Sequence, residues 1–424
     1  MITLSSFVFE VDDSFDSEEF LVLYNRSEDY DTSGAAILEY VKKKKINPTR
    51  KAWDFLSLAL TVLAADHLVQ RGVSSDGWTR SIKIDVPVSD PDLWNAQIET
   101  IEFMLRYLTT DIWEVSFYQG SDVCSYSENE EIKKLSGDCV SLLSGGLDSL
   151  IGLIDLHQQN IKPTVVSQVV NGDKSKQSEF VKSINSDLEH IQLNHNSTCT
   201  GENSTRSRSI VFFAYGALIA SCLNKYEEDG SIIDLYVCEN GLISLNVPLT
   251  NTRVGSLSTR TTNPIYLSRL QALFDATGLK IKLVNPYQFK TKGEMCIECQ
   301  DQAMLKKLAK NSTSCGRFAR YGFQQCGRCI PCLIRRAAFK KWSQRDYSGY
   351  KFKDLSKRDS NHFAFDDVRS AGIAIIESSG NKLESWIGPA LSDEVFSDEL
   401  EAYQSVLRRG LDELKVLLRY FRVV

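Results

Sequence analysis

Apolar residues recur along this chain with two periods. Ile82, Ile84, Val86 and Val88 alternate with polar partners from Ser81 onward, and Trp113–Tyr118 repeats the alternation, the mark of half-buried strands. The run from Trp53 to Arg71, "WDFLSLALTVLAADHLVQR", is apolar at helical spacing and almost all round, which predicts a buried helix. A second helix is predicted near Gln97–Leu108. The polar stretch Gln119–Asp138 then reads as a linker, so residues 1–135 form an accessory α/β unit.

From residue 136 the rhythm changes. Short apolar runs at Cys139–Leu143, Pro163–Val170, His190–Asn194, Ser231–Glu239 and Leu279–Pro286 alternate with helical segments, including those after Leu150, after Ser209 and near Leu267. That order predicts a parallel sheet wrapped by helices, with ligands at the carboxyl ends of its strands, over residues 136–342. Residues 343–424 form a loop-rich extension. It closes in a helix whose core face carries Tyr403, Val406, Leu407, Leu411, Leu414, Leu417, Leu418 and Phe421.

Composition narrows the function classes. A chain of 424 residues with 42% hydrophobic and 25% charged residues has room for two or three ordinary cores. A net charge of −6 disfavours nucleic acid as the main ligand, and Lys42–Lys45 reads as a solvated helix end. The start, "MITLSSFVFEVDDSF", has no signal or transit pattern, and Ile210–Leu223 is shorter than the roughly 20 residues of a membrane span, so no membrane partner is expected. Eleven cysteines without a secretion signal point to a reducing, cytoplasmic location, where clustered thiols hold metal.

Two stretches carry chemistry. "LSGGLDS", Leu143-Ser144-Gly145-Gly146-Leu147-Asp148-Ser149, follows a predicted strand and opens a predicted helix. Glycines there let backbone N–H groups converge on an anion at the positive end of the helix dipole, while Ser144 and Ser149 add hydroxyl donors. Asp148 repels anions and so serves a divalent cation that bridges them. The stretch is neither a Walker A loop nor a dinucleotide fingerprint. The second is Cys315, Cys326, Cys329 and Cys332, spaced C-x10-C-x2-C-x2-C, which predicts a closed, structural four-thiolate zinc site. Cys296 and Cys299 form a rival C-x2-C, but the surrounding Lys292–Ala309 is expected to be helical throughout. An iron–sulfur cluster and uncoordinated core thiols are the competing readings.

"SGGLDS" directly after a strand resembles the PP-loop of ATP pyrophosphatases, which split ATP between its α- and β-phosphates. Together with "SC…CGRCIPCLIRRAAF" it resembles the 7-cyano-7-deazaguanine synthase (QueC-like) family, over roughly Asp138–Trp342. The resemblance implies an α/β, Rossmann-like PP-loop sheet with a structural zinc knuckle, ATP, Mg²⁺ and Zn²⁺ as cofactors, a deazaguanine-like small-molecule substrate, and a homodimer. It implies a carbon–nitrogen ligase that adenylates a 7-deazaguanine carboxylate and converts it to an amide and then a nitrile. Leu143–Ser149 would bind ATP, with Asp148 on the metal. Arg206, Arg208, Arg260 and Lys292 are expected to neutralise the pyrophosphate as it leaves. Glu239, Asn240 and Gly241, at the end of a predicted strand, and Thr259, Lys174 and Lys176 on loops, are further candidates.

The likeness is partial. Val169–Lys174 lacks the "YGQRH" pattern of stand-alone synthases, which puts substrate recognition in doubt. The amino-terminal unit and helical tail resemble instead the QueC-like proteins of anti-phage Qat and type IV CBASS operons, where a partner protein's amine would be the acceptor. A PP-loop sulfurtransferase acting on nucleic acid and a non-catalytic nucleotide-binding scaffold of a defence complex are the alternative readings.

Overall fold

A computed structural model describes residues 3–11, 15–126, 130–169, 172–247, 249, 260–357 and 367–424; Thr259 and Asn171 lie outside them. The amino-terminal unit runs β1 (Thr3–Val11), β2 (Phe15–Leu23), β3 (Asp31–Ser33), α1 (Ala35–Lys44), α2 (Arg50–Leu68), β4 (Ser81–Val88), α3 (Pro91–Asn95), α4 (Ile98–Thr109) and β5 (Ile112–Gln119). Its five-stranded sheet has the order β3-β2-β1-β4-β5 and is mixed: β1 is antiparallel to both neighbours, whereas β2/β3 and β4/β5 are parallel. Lysines 42–45 are exposed at the end of α1, as expected.

The second sheet is built from β6 (Cys139–Leu142), α5 (Leu147–Gln158), β7 (Pro163–Gln168), α6 (Lys174–Ile184), β8 (His190–Leu193), α7 (Arg208–Ala220), β9 (Ile233–Tyr236), α8 (Gly241–Ser244), α9 (Pro264–Thr277) and β10 (Ile281–Val284). It is wholly parallel, in the order β10-β9-β6-β7-β8. The chain therefore builds outward from β6 on one side and then returns to β9 on the other. Crossovers diverge at that point, which leaves a crevice at the carboxyl ends of β6 and β9. Gly216 lets α7 lie close on the sheet, since a Cβ there would come within 2.7 Å of Leu235.

Three observations revise or extend the expectations. The predicted single helix over Lys292–Ala309 is two, α10 (Lys292–Glu298) and α11 (Gln302–Leu308). The Asp301 side chain caps α11 by accepting from Met304 N at 2.9 Å, and the Gln302 amide donates to the terminal carbonyls of Cys296, Ile297 and Cys299 at 2.9–3.1 Å, so local side chains satisfy the break. The tail adds α12 (Ile330–Lys341), α13 (Asp367–Glu377), α14 (Leu383–Ile387) and α15 (Leu400–Tyr420). On α15 the predicted face is buried, except that Phe421 caps the helix and is partly exposed. Finally, one hydrophobic core runs across the 135/136 division, because α2 packs against both α7 and β4.

Side chains seal two sheet margins. On β5, Val115 N donates to Glu102 Oε1 at 2.9 Å and Phe117 N to Asn95 Oδ1 at 3.2 Å; on β10, Leu283 N donates to Gln271 Oε1 at 2.8 Å while Gln271 Nε2 donates to Ile281 O at 2.9 Å.

A buried ionic cluster joins the two units. Asp66 on α2 accepts from Arg206 N, Ser207 N and Ser207 Oγ at 2.7–2.8 Å, so a carboxylate of the first unit covers the amino terminus of α7 in the second. Its other oxygen pairs with Arg80 at 2.6 Å, and Arg80 and Arg71 both engage Asp111. Burial alone would push the Asp66 carboxyl up, but Arg80 and the Ser207 donors together hold it below the ordinary aspartate range. Replacing it leaves Arg80 and Arg71 to share the one buried carboxylate of Asp111 and removes the acceptor from Arg206 N and Ser207 N at the start of α7. Asp66→Ala should therefore lower stability by about 3–5 kcal/mol in urea denaturation; a loss below about 1 kcal/mol would show that the cluster is dispensable.

Candidate functional site

The turn after β6 has the form its sequence predicts. Gly145 sits at φ +89°, a conformation open to glycine and strained for other residues, while a Cβ there would meet nothing closer than 3.5 Å; backbone shape requires glycine, not crowding. Gly146 is the N-cap of α5, with no side chain capping the first turn. The N–H groups of that turn have no partners within the helix and point outward at its positive end. Ser144 and Ser149 stand on either side with their hydroxyls 3.1 Å apart, and Ser144 is exposed at the mouth. Leu143 and Leu147 are buried and anchor the turn to the core.

Asp148 points inward, to the switch point. Its carboxylate is 3.0 Å from Lys292 Nζ and accepts from Asn240 Nδ2 at 2.7 Å and Asn240 N at 3.2 Å. Asn240 Nδ2 also donates to Glu239 Oε1 at 3.0 Å. Each member is set by local structure: Asp148 in the first turn of α5, Asn240 as N-cap of α8, and Lys292 as first residue of α10, behind a Thr291/Glu294 capping box. Three strand ends, those of β6, β9 and β10, thus meet at one carboxylate.

Charge is divided unequally there. Burial raises the Asp148 carboxyl, but Lys292 and the Glu239 and Asn240 hydrogen bonds outweigh it and keep the group below the usual range. Glu239 goes the other way: burial first, then the Asp148 charge, hold its carboxyl well above the ordinary glutamate value. Burial opposes the Lys292 charge, but Asp148 and Glu239 more than restore it. The cluster thus carries one firm anion, one firm cation and one carboxyl that keeps its proton longer. A hard cation entering here would find carboxylate oxygens suited to it, and an anion in the turn would find Lys292 nearby.

The four cysteines meet as predicted. All four sulfurs lie within 4.8 Å of one another and are buried. The Cys326–Cys332 and Cys315–Cys329 pairs are 3.8 Å apart. A tetrahedron with metal–sulfur bonds of about 2.3 Å has edges of about 3.8 Å, so the set suits one ion such as zinc. Backbone N–H groups of Cys326 and Arg317 donate to Cys315 Sγ, and those of Arg328 and Cys329 to Cys326 Sγ, at 3.3–3.4 Å, which favours thiolates. Cys296 and Cys299 are buried elsewhere.

The knuckle reaches the turn through the residues just before Cys315. Thr313 N donates to Gly145 O at 2.9 Å, and Thr313 Oγ1 bonds Asp173 at 2.9 Å and Lys176 Nζ at 2.9 Å. Arg335 on α12, fully buried, holds the same segment through Ser312 Oγ at 2.7 Å and is paired with Asp346 at 2.8 Å. Sequence reading missed Thr313 because a lone threonine in a polar loop carries no pattern.

Of the six basic candidates, only Lys292 meets Asp148. Lys174 and Lys176, expected on a loop, lie in the first turn of α6. Arg206 is buried at the unit junction, 4.6 Å over the Trp78 ring and donating to Thr110 Oγ1 at 3.1 Å. Arg260 lies 4.5 Å over Tyr107 and donates to its carbonyl at 3.0 Å. Arg208 is exposed at the first position of α7. His195 is 3.0 Å from Tyr215 OH; burial, then His67 and Arg208, push its imidazole down to about 4. A cavity of about 450 Å³ lined by Glu294, Lys340, Lys341, Arg409, Glu413 and Val416 contains none of the Asp148 cluster. No helix among the described residues is long and apolar enough to cross a membrane.

No protein-family model matches the chain, and neither does any curated protein.

Two outcomes are expected. Given zinc, the protein should take up about one ion per chain in elemental analysis, and Cys329→Ser should lose that uptake together with the thermal stability it adds. A carboxyl raised by folding weakens the fold as pH climbs above its unfolded value. Glu239→Gln should accordingly gain stability relative to the parent above about pH 4.5, by up to about 1.4 kcal/mol per pH unit until the folded pKa is reached. Parallel stability curves would contradict the proton assignment.

Proposed function

We propose that this protein is an ATP- and Mg²⁺-dependent carbon–nitrogen ligase that adenylates a 7-deazaguanine carboxylate. The single observation that carries the reading is the meeting of Asp148, Asn240, Glu239 and Lys292 at the switch point, directly behind a glycine turn at a helix amino terminus. That turn is here read as a PP-loop on a Rossmann-like sheet.

Leu143–Ser149 would cradle the triphosphate, with Gly145, Gly146 and the first-turn N–H groups of α5 as donors and Ser144 and Ser149 as hydroxyl partners. The substrate carboxylate oxygen attacks the α-phosphorus, the bond to the β-phosphate bridge oxygen breaks, and pyrophosphate leaves with that electron pair. Lys292 is aligned to offset the charge that develops. Asp148 would hold Mg²⁺, which would supply further neutralisation of the phosphates, and Glu239 could join it only by giving up its proton. The nitrogen lone pair of ammonia or of a partner protein's amine then attacks the acyl carbon; AMP leaves with the acyl oxygen bond and the nitrogen sheds a proton. With ammonia the amide can be dehydrated to a nitrile.

Arg206, Arg208 and Arg260 are proposed here in reduced roles. The first sits in the junction cluster and the third stacks on Tyr107, so both act by holding the two units together, and the exposed Arg208 is left without a partner role. The zinc site is structural, because four sulfurs leave no open coordination position. The tail and amino-terminal unit favour the anti-phage variant of the family and a cytoplasmic site of action, with operon proteins as partners.

Asp148→Asn should abolish formation of AMP and pyrophosphate while circular dichroism stays unchanged; retained turnover refutes the role. Mass spectrometry after incubation with ATP, 7-carboxy-7-deazaguanine and either ammonia or a partner protein separates nitrile, amide and protein adduct. Iron in place of zinc would favour the sulfurtransferase, and nucleotide binding without pyrophosphate release the scaffold.

A further inference from the structure

Phe323 is a large apolar side chain left 50% exposed, close to the anion turn, in a backbone conformation unusual for its type. Its φ is +61°, the left-handed region that bulky residues rarely occupy. The conformation is held from below. A single 3₁₀ turn, Ala319–Tyr321, is followed by Gly322 at φ +64°, and Phe323 N closes onto Phe318 O at 3.0 Å. Such outliers persist where surrounding structure over-determines them, and they cluster at ligand clamps.

The ring is also aimed. Phe323 meets Phe318 edge to face at 5.9 Å, and Phe318 and Tyr321 pack on the four-cysteine cluster, so the platform stands on the metal knuckle. On the other side lies Gly172, at φ +90°, where a Cβ would be 2.6 Å from the Phe323 ring. Glycine there brings backbone and ring into direct contact. The next residue, Asp173, faces the turn: its side chain lies 3.5 Å from where a Cβ on Gly145 would sit. Lys176 closes the arrangement: its Nζ lies 4.3 Å over the Phe318 ring and bonds Thr313, which in turn bonds the turn at Gly145. An exposed aromatic face, a lysine and an anion turn therefore follow one another within a few residues' breadth.

We infer that Phe323, presented by the metal knuckle, is a stacking platform for a planar, purine-like ring whose anionic end occupies the turn at Gly145. This rests on the adenylation reading, and two rings share the required chemistry: the adenine of ATP and the deazaguanine of the acid. Exposure of a hydrophobic ring to water is unfavourable in the free protein, and covering it with a flat heteroaromatic recovers that cost and adds stacking. Sequence tolerance follows from the mode of contact, since every such ring has a π-face; direction comes from the anion turn.

Binding of ATP and of 7-carboxy-7-deazaguanine to the full-length protein, each measured alone by calorimetry, tests this. Phe323→Ala should weaken one of the two by about 5- to 150-fold, the range expected for loss of one stacked base, with metal content and melting temperature unchanged. Phe323→Trp should keep that affinity, and its indole fluorescence should be quenched by the same ligand, which names the ring. Wild-type binding that Phe323→Ala leaves intact overturns the platform alone. A wild-type protein that binds neither probe overturns the adenylation reading and the platform together. Should the alanine variant lose its metal, the tryptophan variant carries the test, and absence of quenching by a ligand that binds overturns the platform.

Discussion

The contact between Asp148 and Lys292 sets conditions that much of the second unit has to meet. Two opposite charges with almost no exposed side-chain surface remain ionised only if each finds the other and further hydrogen bonds satisfy what is left. Asn240 supplies those bonds and caps α8 with the same side chain. The β9–α8 junction, the start of α10 and the first turn of α5 are thus fixed relative to one another to within hydrogen-bond tolerance. Gly241 carries part of the cost in freedom of sequence, since a Cβ there would come within 2.2 Å of Gln288 O. A crevice that parallel topology leaves open becomes, through one ion pair, a place with a defined charge pattern.

The two units are not beads on a linker. Asp66 reaches from α2 to cover α7, and the arginines around it are shielded by Trp78 and the end of α4. Arg206 shows how the same residue type can read as a ligand in sequence and serve as architecture in three dimensions. Arginine directly before a helix is a good phosphate fork when the helix amino terminus is free. Here a carboxylate already covers that terminus, and the guanidinium is turned toward an aromatic ring.

Legibility in the sequence followed the range of the forces involved. The glycine turn and the four cysteines are local, and spacing alone was enough to find them. Five parallel strands were visible because each is short, apolar and separated by a helical rhythm. The break at Cys299–Asp301 was hidden because helical spacing continues through it, and only the side chains of Asp301 and Gln302 reveal that the carbonyls are satisfied another way. Strands β1 and β2 are not among the predicted elements: Phe7-Val8-Phe9 is a continuous apolar run, and alternation with polar residues is confined to Phe9-Glu10-Val11. Which of several basic residues would meet Asp148 depended on long-range placement, and no pattern in the chain encodes that choice. Glu239 and Asn240 were legible as a strand terminus; their partition of a proton with Asp148 was not.

The side chains lying along β5 and β10 have a consequence for assembly. Glu102 and Asn95 occupy two donors on one strand, and Gln271 imitates a backbone neighbour on the other, so a foreign strand finds part of each margin already satisfied. Extension of either flank into a ribbon shared between molecules would cost those bonds. A copy or companion of this chain that approaches from those directions is met first by side chains, and the chance strand exchange that threatens open sheets is opposed there at the level of single amides.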